Sequence, residues 1–171
     1  VEQAVPSGAT VRFTGSWHSH PGVLAAFAEK VRARKAGCDA VVFTAHSLPT
    51  RLVQAGDPYP EQVAATAAGV AERTGIGPYH LAWQSAGRTA EEWLQPTLEA
   101  CLAERAAEGR RRILVAPIGF VSDHTEILYD IDIQARRFAE EGGLALTRTE
   151  SLNTSPLFVS ALADLVRHAF A

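Results

Sequence analysis

The sequence is poor in cysteine, has no long apolar run and carries no surplus of either charge. Cys38 and Cys101 are its two cysteines in 171 residues, and they show neither the CxxC spacing of a zinc site nor the close-set framework of a disulfide-stapled secreted domain. They read as small core residues with free thiols in a reducing compartment. No stretch reaches the roughly 18 consecutive apolar residues that a membrane-spanning helix requires. The opening "VEQAVPSGAT" also lacks the basic and apolar parts of a signal peptide, so a cytoplasmic location is expected. Lys and Arg number 16 against 19 Asp and Glu, a formal charge of -3. Apart from Arg110-Arg111-Arg112, which reads as following a helix end, the arginines are dispersed, which argues against nucleic-acid binding. Repeats, low-complexity tracts and internal linkers are missing too.

What is present is the make-up of one soluble globular domain. A composition of 47% hydrophobic and 20% charged residues supports a single α/β domain over residues 1–171 with a real core. Short apolar runs at Thr10 to Phe13, Asp39 to Ala45, Tyr79 to Gln84, Arg112 to Ile118 and Leu144 to Arg148 read as strands, several of them apolar on both faces. Helical patterns lie between and after them, at Pro21 to Ala36, Pro60 to Thr74, Ala90 to Glu108, Asp123 to Glu141 and Pro156 to Phe170. This alternation predicts an α/β fold in three layers, a parallel sheet flanked by helices with Rossmann-type topology. The longest irregular stretch is "HSLPTRLVQAGDPYP", His46 to Pro60, and loops of that length are often functional.

In open α/β sheets ligands bind outside the carboxyl ends of the strands. The residues there are His46-Ser47, Gln84-Ser85 and the run from Gly119 to Glu126, which holds Asp123, His124 and Glu126. Each has an ordinary reading beside the functional one. Asp123 and Glu126 have the spacing of a capping box, in which Asp123 caps a helix and Glu126 reaches back to its amide. Glu126, Asp130 and Gln134 fall at i, i+4 and i+8, beside an apolar stripe of Ile127, Leu128, Ile131, Ala135 and Phe138. Such a line could pass cations or protons along a cleft wall, or be an ordinary solvated face. His46 can be a hydrogen-bonded structural histidine or a ligand, and His124 a cap or a support for a metal ligand.

His18 and His20 belong to the turn before the helix that Pro21 opens, while His80 and His168 read as structural. "WQSAG" is not a nucleophile elbow, because Trp83 stands where the tight turn needs a small residue. "GIGPYH" is not a phosphate loop, since it leads into a strand.

Read together, "FTAHSLP" (Phe43 to Pro49), "WQSAG" with "WLQP" (Trp93 to Pro96), "PIGFVSDHTEILYDID" (Pro117 to Asp132) and "SLNTSPLFVSALADLV" (Ser151 to Val166) resemble the ferrochelatase family over nearly the whole chain. The resemblance is to the carboxyl-terminal half of an enzyme that normally has two similar α/β domains with a porphyrin between them. It implies a chelatase-like fold, with His46 and Glu126 as a catalytic pair facing each other across the porphyrin. By the same resemblance His46, Glu126 and Asp130 handle the metal; their place at the strand ends makes Ser47, Gln84 and Ser85 the expected substrate contacts, and their place at the helix start makes Asp123 and His124 the expected support for the ligands. Gln134 departs from the pattern, standing where the family often has another carboxylate.

The implied activity is insertion of Fe²⁺ into protoporphyrin IX or coproporphyrin III in heme biosynthesis. The implied partners are the porphyrin, Fe²⁺ and an amino-terminal domain or a homodimer partner, without which little activity is expected. Fe²⁺ is then substrate, with no permanent cofactor. No iron–sulfur cluster is expected, because the cysteines that bind one in some relatives lie beyond the last helix. The alternatives are a single-domain cobalt or nickel chelatase for a sirohydrochlorin-like tetrapyrrole and a non-catalytic tetrapyrrole-binding module. The residue types suit the first reading: histidine is a base near neutral pH, and with one carboxylate it makes a borderline-hard site for Fe²⁺ where a thiolate cage would bind too tightly.

Overall fold

In the computed structural model, which describes residues 8–171, four strands alternate with helices. The strands are β1 (Ala40–His46), β2 (His80–Gln84), β3 (Arg112–Pro117) and β4 (Ala145–Arg148). They form one sheet in the order β2-β1-β3-β4, with every pairing parallel. The helices are α1 (Pro21–Arg34), α2 (Thr50–Gln54), α3 (Tyr59–Thr74), α4 (Leu98–Ala107), α5 (Arg136–Glu141) and α6 (Pro156–Phe170). A π-helix at Ile127–Ala135 runs directly into α5.

Strand alternation divides the core in two. Val41, Phe43 and Ala45 of β1 point with Leu114 and Ala116 of β3 to one face, where α1, α3 and α6 cover them. Val42, Ile113, Val115 and Leu146 point to the other, against Leu98 and Leu102 of α4, Ile127 and Ile131 of the π-helix and Ala139 of α5. The result is the expected three layers. Burial on both faces is why β1 and β3 read as continuous apolar runs.

Parallel pairing puts the carboxyl ends of all four strands on one edge of the sheet. The register sets His46 opposite Gln84 there. Beside them Gly119 packs so tightly that an added Cβ would lie 2.5 Å from the Ala45 Cβ, while its amide donates to the Thr44 carbonyl at 3.1 Å. A side chain at 119 would thus push on the strand end that carries His46.

Four expectations need correction. Thr10 to Phe13 is irregular and exposed, with no ladder partner among the described residues and with Phe13 left in solvent. Residues 90–97 are not helical: proline at 96 excludes an α interior there, and the backbone serves the site loops, with Trp83 N–H donating to Pro96 and Leu94 N–H to Leu48. The helix starts only after Thr97, whose hydroxyl accepts the Ala100 amide at 3.1 Å. The stretch from His46 to Pro60 is not irregular throughout, because it contains α2. Finally, the helix expected at Asp123 to Glu141 begins at Thr125 and is largely π-helical, a rare geometry often found at functional sites.

Candidate functional site

His46 ends β1 with its side chain about one-third exposed. Its Nδ1 lies 2.5 Å from the Ser47 carbonyl, which can only accept, so Nδ1 carries the hydrogen and donates it. In the neutral ring Nε2 is then a bare lone pair. It faces the Glu126 carboxylate with 3.7 Å between Nε2 and Oε2. That separation exceeds a hydrogen bond. Two electron-rich atoms therefore confront each other without satisfying each other, an arrangement able to take up a proton or a cation.

The loop after β3 supplies Glu126. His124 Nδ1 accepts the Glu126 amide at 3.2 Å, so His124 does the local capping that the sequence spacing assigned to Asp123. Asp123 is engaged elsewhere: its carboxylate accepts from Ser151 Oγ at 2.7 Å, Asn153 Nδ2 at 3.0 Å and Arg148 Nη1 at 3.2 Å. These bonds, Asn153 first, hold the Asp123 carboxyl below its usual range. The capping box does not form, and the Glu126 side chain is left to face His46. Phe120 packs its ring 6.4 Å from the His46 ring and 4.8 Å from that of His124, walling one side of the pair.

Next to the pair is an open cleft of about 420 Å³, lined by Gln84, Ser85, Glu126, Tyr129, Asp130 and Gln134 among others. The expected stripe of Glu126, Asp130 and Gln134 does share one wall. Asp130 is not free there, since Ser85 donates its hydroxyl to it. Ser85 does so from a left-handed conformation with φ of 60°. Gln84 is buried; its Oε1 accepts the Thr44 hydroxyl at 2.8 Å, while its Nε2 is buried without a partner among the described residues. Ser47 is also buried, and its hydroxyl donates to the Leu94 carbonyl at 3.3 Å, turned away from the cleft. Among the described residues no three His, Cys, Asp or Glu side chains converge as a metal cage. His46 and Glu126 make a pair, and Asp130 stands apart with Ser85.

Two of the other histidines serve the fold. His20 caps α1 through Nδ1 and meets Asp164 through Nε2 at 3.1 Å, and His80 packs on Arg105. Cys101 is buried, Cys38 is partly exposed, and both are free thiols. Among the described residues no helix is long and apolar enough to cross a membrane. Sequence reasoning missed Phe120, Tyr129 and Arg148. The strand-end rule would have reached Arg148 had it been applied to β4 as well.

The family model for ferrochelatase matches residues 2–170. Among curated relatives, the chain is 42% identical over 160 residues to a ferrochelatase of Thermus thermophilus, covering 91% of this chain and 50% of that protein. It is 40% identical over 172 residues to a coproporphyrin III ferrochelatase of Geobacillus kaustophilus, covering 96% and 54%. With the mitochondrial ferrochelatase of Xenopus laevis it shares 44% identity over 161 residues, covering 88% and 39%. The chain thus spans about half the length of the first relatives it matches. With a family match over nearly every residue, this chain belongs to the ferrochelatase family.

Proposed function

We propose that this chain is the metal-handling, carboxyl-terminal half of an enzyme that inserts Fe²⁺ into protoporphyrin IX or coproporphyrin III in heme biosynthesis. The observation that carries the reading is the Nε2 of His46 facing the Glu126 carboxylate at 3.7 Å on the carboxyl edge of a parallel sheet. Insertion exchanges one Fe²⁺ for two pyrrole N–H protons. His46 accepts one of these protons at a time at Nε2 and passes it on before taking the second, Glu126 is the opposing carboxylate, and Asp130 with Ser85 carries the released protons along the cleft wall. A neutral imidazole and one carboxylate bind Fe²⁺ without trapping it. Fe²⁺ enters as substrate, and the reading assigns no permanent cofactor. The unpaired cysteines accord with a reducing compartment such as the cytoplasm.

One wall of the porphyrin cleft comes from elsewhere in this reading. Leu128, Tyr129 and Ile133 are exposed beside Glu126 and Asp130, and the relatives are about twice as long as this chain. An amino-terminal domain is the occupant that fits both observations. The test is an anaerobic Soret-band assay with Fe²⁺ and either porphyrin, using the chain alone and together with its amino-terminal half. Metal insertion only on adding that half is expected. No insertion with both halves present would reject the reading, and insertion by the chain alone would reject its dependence on a second domain.

A further inference from the structure

Among the described residues no side-chain hydrogen bond fixes Glu126, yet it stands 3.7 Å from His46. What holds it lies on either side of it in the chain. Arg148, at the end of β4, grips Asp132 of the π-helix with both arms of its fork: Nε donates to Oδ1 at 2.8 Å and Nη2 to Oδ2 at 2.9 Å. Its remaining nitrogen, Nη1, donates to Asp123 Oδ1 at 3.2 Å and to the Thr149 carbonyl at 3.1 Å. Asp123 precedes Glu126 by three residues and Asp132 follows it by six, so one guanidinium secures both flanks.

The anchor is itself held. The Asp123 amide donates to Asn153 Oδ1 at 3.0 Å, and the Asn153 amide donates to the Val121 carbonyl at 2.8 Å, strapping the loop to the segment between β4 and α6. On the opposite flank the Ser85 hydroxyl tethers Asp130 to the end of β2. The π-helix is thus tied to both outer strands, and Glu126, just before it, lies between the tied Asp123 and Asp130. The Arg148 side chain is 13% exposed, where a paired guanidinium is weakly screened.

We infer that Arg148 is a positioning residue, which fixes Glu126 opposite His46 by clamping Asp123 and Asp132 together. Lysine could not replace it, because an ammonium is a point donor and cannot span both carboxylates with a planar fork. The catalytic consequence rests on the proposed metal insertion; the geometric one does not.

The decisive experiment records the His46 ring nitrogen and carbon chemical shifts by NMR at one fixed pH, with and without Glu126→Gln, in three backgrounds of this chain: native, Arg148→Lys and Asp132→Asn. Glu126→Gln should move the His46 resonances in the native background and lose that effect in the other two. Equal displacement in all three would overturn the clamp. Asp132→Asn conserves volume and so keeps the test available if Arg148→Lys folds poorly, with near-UV circular dichroism checking the fold. In the complete enzyme, Arg148→Lys should lower kcat about 10- to 100-fold with the KM for porphyrin unchanged. An unchanged kcat, or a matching rise in porphyrin KM, would remove the catalytic consequence. If the unaltered complete enzyme inserts no metal, the functional reading fails while the ring-shift comparison still decides the clamp.

Discussion

Replacing Gly119 with alanine should destabilise the chain and disturb His46 together. The added Cβ would lie 2.5 Å from the Ala45 Cβ, 2.8 Å from the Ala45 Cα and 3.4 Å from the Tyr59 hydroxyl. Overpacking costs about 1–3 kcal/mol in general, and because one obstacle here is backbone, the upper part of that range is expected, about 2–3 kcal/mol. For a chain of this size that is a fall in Tm of about 4–12 °C, at roughly 2–4 °C per kcal/mol. Urea titration and calorimetry would measure it against Gly15→Ala, where the new Cβ meets nothing within 4 Å. The control should be neutral or slightly stabilised, by up to about 1 kcal/mol through the unfolded chain. Adding Ala45→Gly should recover only part of the loss, since the clash with the backbone of residue 45 remains. If Gly119→Ala proves as stable as the control, the close approach does not constrain the site.

Asp39 accepts from the Arg112 guanidinium and from the Arg111 and Arg112 amides, which lower its pKa from 3.8 to about 2. The folded chain binds this proton less readily than the unfolded one, so the contribution to stability is full above pH 3.8 and is lost as pH falls to about 2. Asp39→Asn should therefore show a shallower decline of urea midpoint across that interval, and an equally steep decline would contradict the assignment. Ser85→Ala removes the hydrogen bond to Asp130 and keeps the left-handed backbone, whereas Ser85→Gly removes the bond but relieves the backbone; denaturation should find the glycine variant more stable by about 1 kcal/mol. Thr97→Ala strips the cap from α4 and should cost about 0.5–2 kcal/mol by the same measurement, with no loss implying another partner for the Ala100 amide.

The parts of the fold legible in the sequence are those fixed by local pattern. β1 and β3 are buried on both faces, so their runs of Val, Ile and Leu identify them directly, and α6 spans Pro156 to Phe170 as its proline and apolar spacing indicate. His46 was legible because it ends such a strand. What stayed hidden depends on distant partners. The spacing of Asp123 and Glu126 is that of a capping box, and nothing local reveals that Ser151 and Asn153 claim Asp123 instead. The π-helix was equally invisible, since the apolar stripe of Ile127, Ile131 and Ala135 suits an α-helix too. The turn of Ser47 into the fold follows from the loop around Leu94, which the sequence presented as helix.

The claim that His46 and Glu126 form the reacting pair is tested most directly by single-turnover Fe²⁺ insertion, followed at the Soret band, in the complete enzyme bearing His46→Ala or Glu126→Gln. Loss of a positioned proton-transfer group should slow insertion by about 10²- to 10⁴-fold, with porphyrin binding retained. Insertion at the unaltered rate in either variant would contradict the account.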